Sequence, residues 1–132
     1  MKERVNDYIK QHWKNTIRTG ISKTDEIPLP YPTTVPCENQ RFTYFFYWDT
    51  YFTNLGLLYD MPKQALNNLR NMKYLVERFG FIPNANLTNM LNRSQPPLFC
   101  CAVYDYYQLY PSLDIVYEFF GSMQREYEFW SQ

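Results

Sequence analysis

Two segments of the chain combine an arginine with aromatic residues and with acid or amide side chains. The first is residues 41–52, RFTYFFYWDTYF, and the second contains IPNAN at residues 82–86 and RSQPP at residues 93–97. An aromatic face covers the apolar side of a sugar ring, while guanidinium, carboxylate and amide groups bind its hydroxyls through directed hydrogen bonds. The segments therefore predict a sugar-binding site. The candidate substrate-binding residues are Arg41, Trp48, Asp49, Asn84, Arg93, Ser94 and Gln95.

Considered one at a time, several of these residues also have an ordinary structural interpretation. Asp49 falls in the first turn of a predicted helix, where a carboxylate commonly acts as a cap or faces the helix dipole. A single arginine such as Arg41 or Arg93 is most often part of a surface or structural ion pair. Residue chemistry alone favours the structural interpretation of Asp49, and the order of the motifs is needed to reverse it.

Taken together, the three motifs closely resemble those of the trehalase family of glycoside hydrolases. That family has an Arg-Phe run ending in Tyr-Trp-Asp-x-Tyr-Phe, followed by Ile-Pro-Asn-x-Asn and then Arg-Ser-Gln-Pro-Pro, and all three occur here in that order. The resemblance implies that Trp48 packs on sugar and that Asp49 binds its hydroxyls, with the other candidates as further contacts. It also implies that the substrate is α,α-trehalose or a related α-glucoside.

Hydrolysis by an inverting glycosidase requires a general acid and a general base on opposite sides of the scissile bond. The resemblance implies that the family's acid and base lie further along the chain than the motifs matched here. We therefore predict no catalytic residue in residues 1–132, and no hydrolysis by this chain alone. The acids of the last predicted helix, Glu118, Glu126 and Glu128, are interpreted as solvated surface residues. His12, the single histidine, is interpreted as a structural or surface residue.

Composition narrows the class of partner. The formal net charge is zero, without a run of basic residues, which argues against binding to nucleic acid or to an anionic membrane. Aromatic residues make up 20% of the chain, which suits a small neutral sugar such as a trehalose-like disaccharide. No metal or cofactor is predicted, because the cysteines lack metal-ligand spacing.

The N-terminus, the lack of a long apolar run and the cysteines predict where the chain is located. The charged N-terminus does not resemble a secretory signal, and no apolar run approaches the roughly 18–20 residues that span a bilayer. Cys100 and Cys101 are interpreted as small apolar residues of a helix in a reducing compartment. The chain is accordingly predicted to be cytoplasmic.

The elements that must position the candidate residues are predicted to be helices, with no convincing strand, so the fold class is all-α. Apolar periodicity and stop signals predict about five helices: 2–19 ending at Gly20, 48–59, 62–79 ending at Gly80, 97–109, and one from residue 112 onwards. Residues 21–40 contain Pro28, Pro30, Pro32 and Pro36, which predict a long extended connection that delivers Arg41 to the site.

The resemblance implies an (α/α)6 toroid, of which about five helices are an incomplete portion. Residues 1–132 are thus predicted to be a partial toroid domain that is interrupted at its C-terminus. A non-catalytic carbohydrate-binding or helical interaction module and a truncated gene remnant remain as alternatives. Self-association is predicted through an apolar stripe on the last helix. Its residues are Val116, Phe119, Phe120, Met123, Tyr127 and Trp130.

Overall fold

A computed structural model of the chain describes residues 1–20, 24–39 and 41–132. Within them, five α-helices account for most of the secondary structure: α1 Lys2–His12, α2 Tyr47–Asp60, α3 Pro62–Phe79, α4 Phe99–Leu109 and α5 Leu113–Trp130. Short 3-10 helices cover Trp13–Thr16 and Thr88–Met90. The antiparallel strands β1 Ile17–Arg18 and β2 Thr33–Thr34 form a small sheet. The predicted all-α class is confirmed.

Local signals in the sequence account for several helix ends. Pro62 occupies the first turn of α3, where its missing N–H costs nothing, and Gly80 ends that helix with a φ of 82°. Ser112 caps α5, its side chain accepting a hydrogen bond from the Asp114 N–H at 3.2 Å. α4 begins at Phe99, two residues after the predicted start at Pro97.

The prediction for the first helix is wrong at its C-terminal end. α1 ends at His12, and the chain continues through a 3-10 turn into β1, which pairs with β2. Trp13 explains the break: its Nε1–H donates to Asp60 Oδ2 at 2.7 Å, and its ring lies against Gly56 of α2. A Cβ at Gly56 would lie 2.8 Å from that ring. Tertiary contact therefore overrides the helical periodicity of residues 13–19.

The core forms around α3. Leu69, Met72, Leu75 and Val76 are fully buried and pack with side chains from the other elements. These partners include Phe45, Tyr47, Ile82, Phe99 and Phe119. α3 packs against α2, α4, α5 and β2, and so supports the elements that carry the candidate residues.

The connection before Arg41 is held by buried amides on α3. Asn71 accepts the Tyr31 N–H at 3.1 Å, and Asn68 Oδ1 accepts the Thr34 N–H at 3.3 Å. Gln64 Nε2 donates to the Pro32 carbonyl at 2.8 Å. Of the predicted connection, residues 21–23 and 40 lie outside the described residues. The described part includes β2, so the expectation of no strand needs correction.

The apolar stripe predicted on α5 is uncovered over part of its length. Phe119 is buried with Ser122 and Glu126, whereas Phe120, Tyr127 and Trp130 are exposed. Cys100 and Cys101 lie on helix α4, as predicted, and both are exposed free cysteines. Among the described residues, no helix has both the length and the apolar character that a bilayer crossing requires.

Candidate functional site

The three sequence motifs meet at the start of α2. The Tyr47 N–H donates to the Asn84 carbonyl at 3.2 Å, and the Asn84 N–H donates to the Arg93 carbonyl at 3.0 Å. The Trp48 N–H donates to Gln95 Oε1 at 2.7 Å. These bonds place RFTYFFYWDTYF, IPNAN and RSQPP side by side although they are far apart in sequence.

Trp48 and Asp49 occupy the first turn of α2. The Trp48 side chain is 45% exposed and lies near Phe52, with 6.5 Å between the ring centroids, while Asp49 is half-buried. An exposed indole beside a carboxylate offers an apolar face and an acceptor to the same ligand. The sequence placed both residues correctly at a helix start.

Arg41 and Arg93 are both exposed. The backbone N–H of Arg41 donates to Asn39 Oδ1 at 3.2 Å, and the backbone carbonyl of Arg93 accepts the Asn84 N–H. The salt bridges found among the described residues are Arg18–Glu26, Arg70–Glu118 and Lys73–Glu77. Neither candidate guanidinium takes part in one there, so the alternative of a structural ion pair has no support for these two side chains.

Ser94 and Gln95 use polar atoms to fix the loop. Ser94 Oγ donates to the Ile82 carbonyl at 2.5 Å, and Gln95 Oε1 is the acceptor for Trp48. Asn84 is half-buried, and its Nδ2 lies 3.6 Å from the Met90 sulfur. These three side chains therefore hold neighbouring segments together, and their contact with sugar stays a prediction.

Asn86, to which the sequence analysis gave no role, is a buried side chain of the site that bonds to two other segments. It is 1% exposed; its Oδ1 accepts the Phe45 N–H at 2.9 Å, and its Nδ2 donates to the Ile27 carbonyl at 3.0 Å. Its own N–H donates to the Phe45 carbonyl at 3.2 Å. Asn86 thus fixes the strand-like residues that lead into α2. Its position in IPNAN was the available signal.

Tyr47 and Glu126 form a second set of contacts that the sequence did not reveal. The Tyr47 hydroxyl donates to Glu126 Oε1 at 2.5 Å and accepts the N–H groups of Leu98 and Phe99 at 2.8 and 2.7 Å. Burial raises the pKa of Glu126 to about 6. Burial and the neighbouring Glu126 carboxylate raise the pKa of Tyr47 well above its usual range.

The interpretation of the α5 acids as solvated is therefore wrong for two of them. Glu126 is 2% exposed, and Glu118 is half-buried and accepts a hydrogen bond from Arg70 Nε at 2.8 Å. Only Glu128 is exposed as predicted. The spacing of Glu126, seven residues after Phe119 and four after Ser122, puts it on the buried face of α5.

Comparison with known proteins decides the family. The family model described as Trehalase matches residues 1–132. The chain belongs to the trehalase family. A protein named periplasmic trehalase from Xanthomonas campestris pv. campestris is 35% identical over 138 residues, covering 97% of this chain. Another periplasmic trehalase, from Pseudomonas aeruginosa, is 39% identical over 108 residues, covering 80% of the chain, and a protein named trehalase from Dictyostelium discoideum is 39% identical over 107 residues, covering 79%.

The match covers only part of each of these trehalases. The chain spans 23% of the Xanthomonas protein, 19% of the Pseudomonas protein and 18% of the Dictyostelium protein. The family model and these relatives confirm, along the whole chain, the resemblance that the motifs indicated. The prediction of a cytoplasmic location is wrong, because several relatives are named periplasmic trehalases.

Proposed function

We propose that the chain is the sugar-recognition part of a trehalase-like inverting glycoside hydrolase that acts on α,α-trehalose or a related α-glucoside. The observation that carries the proposal is the meeting of the three family motifs at the start of α2, with the Trp48 N–H bonded to Gln95 at 2.7 Å. We call the surface formed by the seven candidate substrate-binding residues the sugar-binding wall. Such a surface needs fixed geometry, because directed hydrogen bonds to hydroxyls tolerate little displacement.

In this proposal each candidate residue has a distinct role. Trp48 packs its exposed indole against the apolar face of a sugar ring, and Asp49 accepts hydrogen bonds from hydroxyls. The exposed guanidinium groups of Arg41 and Arg93 donate to vicinal oxygens or orient a catalytic carboxylate. Asn84, Ser94 and Gln95 complete the wall.

The proposal assigns no catalytic residue to the chain. By resemblance to the family, the general acid and general base belong to other parts of an (α/α)6 toroid, of which residues 1–132 form one portion. The share of the relatives that the chain spans, 23% for the Xanthomonas protein, supports this assignment. The names of the relatives support a periplasmic location for the enzyme.

Titration of the isotopically labelled chain with α,α-trehalose tests the proposal. We expect weak binding, since part of a pocket buries only part of a ligand, with shifts at the Trp48 indole and the Gln95 side-chain amide. Trp48→Ala should weaken binding by about fivefold to tenfold, the loss expected for one aromatic contact. Tyr59→Ala is the matched control, because Tyr59 is an exposed aromatic residue at the other end of α2.

A glucose-release assay on the same samples separates binding from catalysis. We expect no glucose from the pure chain, because positioning without an acid and a base leaves most of the barrier in place. Turnover that disappears in Asp49→Asn would show that Asp49 is catalytic. Shifts confined to regions away from Trp48 and Gln95, or an equal loss in Tyr59→Ala, would rule out this wall as the sugar site.

A further inference from the structure

Tyr47 connects the surface of the candidate site with the core. It directly precedes Trp48 and Asp49, yet its side chain is fully buried, whereas Trp48 is 45% exposed. Its hydroxyl lies at the N-terminus of α4, where it accepts the Leu98 and Phe99 N–H groups at 2.8 and 2.7 Å. Helix N-termini need such acceptors because their first N–H groups have no partner within the helix. Leu98, at the N-cap position of α4, has no side-chain acceptor.

Glu126 determines which way this hydroxyl points. A phenol has one proton and two acceptor sites. Both amide bonds use the acceptor sites, and the proton is donated to Glu126 Oε1 at 2.5 Å. Removal of the carboxyl would leave the buried hydroxyl without an acceptor and free to rotate, which would weaken the two amide bonds as well.

The consequences reach the proposed sugar wall through short lengths of chain. One residue separates the Tyr47 backbone from Asp49, and two residues separate Leu98 from Gln95. We propose that Glu126, acting through the Tyr47 hydroxyl, is a positioning residue of the sugar-binding wall. This inference rests on the proposed function. Glu126 fixes the start of α2 against the segment that follows RSQPP, so that the Trp48 N–H reaches Gln95.

The charge of Glu126 supplies a readout that a purely structural residue would not give. Burial places its pKa at about 6. Among the described residues, the titratable groups that interact with it are Tyr47 on α2 and Cys100 on α4. Burial and the Glu126 carboxylate raise the pKa of the Cys100 thiol. Above the pKa of Glu126 its carboxylate is a charge-assisted acceptor for the Tyr47 proton, and below it the acceptor is weaker. Signals from Trp48 and Gln95 should therefore titrate with a midpoint near 6.

Four variants of the full chain test the inference by NMR, first without sugar and then with trehalose. Tyr47→Phe should lower hydrogen-exchange protection of the Leu98 and Phe99 amides at least tenfold. Glu126→Leu should shift the Trp48 amide and weaken trehalose binding about fivefold. Glu126→Gln keeps an oxygen acceptor, so it should retain the wild-type positions and lose the pH response near 6. Glu128→Gln, an exposed residue of the same helix, should change none of these signals.

Each result decides the inference. Unchanged protection at Leu98 and Phe99 in Tyr47→Phe, or an unmoved Trp48 amide in Glu126→Leu, would overturn it. If Glu126→Leu does not fold, the wild-type titration decides, and absence of a midpoint near 6 that Glu126→Gln removes counts against positioning. If the wild type binds no trehalose, the proposed function fails, while the sugar-free measurements still establish or refute the link from Glu126 to Trp48.

Discussion

Asn84 and Asn86 lie two residues apart in the same motif, yet their surroundings differ. Asn84 is half-buried at the proposed wall, whereas Asn86 is buried and bonds to the backbone of residues 27 and 45. If these hydrogen bonds were lost, each buried polar group left unpaired would lower the unfolding free energy by about 1–3 kcal/mol. Residue types and spacing predicted that the motif was important. They did not show which of its amides faces the core, because burial depends on the packing of distant segments.

The stability of the chain should fall as pH rises through the range in which Glu126 ionises. Its pKa is about 6 in the folded state and 4.5 in the unfolded chain, so the folded state binds the proton more tightly. Stabilisation from this proton is full below pH 4.5 and is lost above pH 6, a difference of at most about 2 kcal/mol. Urea unfolding at pH 5 and pH 7 measures it.

Glu126→Gln is the control for this pH dependence. It removes the titration while preserving the size of the side chain, so its unfolding free energy should change less between pH 5 and pH 7 than that of the wild type. Equal pH dependence in the two proteins would show that another group is responsible.

The helices show which parts of the fold depend on local signals. α3 begins at Pro62 and ends before Gly80 as predicted, because proline and glycine act within one turn of the helix end. α1 ends earlier than predicted because Trp13 bonds to Asp60, forty-seven residues away. No pattern confined to residues 2–19 contains that contact, so local sequence could not predict it.

The connection that precedes Arg41 depends on Asn68 of α3. Asn68 is fully buried; its Nδ2 donates to Thr34 Oγ1 and to Asn54 Oδ1, both at 2.9 Å, and its Oδ1 accepts the Thr34 N–H. We expect Asn68→Ala to lower the unfolding free energy by about 2–4 kcal/mol, because several buried polar groups lose their partner. Hydrogen exchange at the Thr34 amide should accelerate with it.

Asn67→Ala is the matched control on the same helix. Asn67 is half-buried and donates to Gln64 Oε1 at 3.4 Å, so its loss should cost less than about 1 kcal/mol. Similar costs for the two variants would mean that the amide network does not hold the connection.

The molecule as a whole exposes a large amount of aromatic surface on one side. Phe120 is 59% exposed and Tyr127 is 71% exposed on α5. A groove of about 350 Å³ between α4 and α5 is lined by Cys100, Val103, Tyr104, Tyr107, Val116 and Met123. Sequence periodicity predicted an uncovered apolar stripe on α5, and its residues Phe120, Tyr127 and Trp130 are exposed, whereas Phe119 packs inward with the polar residues Ser122 and Glu126. Adjacent aromatic residues at 119 and 120 make the buried face of this helix ambiguous in the sequence.

We expect this exposed face to cause concentration-dependent self-association of the isolated chain. Covering about 100 Å² of apolar surface contributes about 2.5 kcal/mol, so burial of two aromatic side chains offsets a substantial part of the cost of association. Sedimentation of Phe120→Glu/Tyr127→Glu should show less association than the wild type. Gln124→Glu adds a charge at an exposed polar position of α5 and should associate like the wild type. A monodisperse wild-type monomer with a sharp melting transition would instead favour a self-contained helical module, because the exposed face would then need no partner.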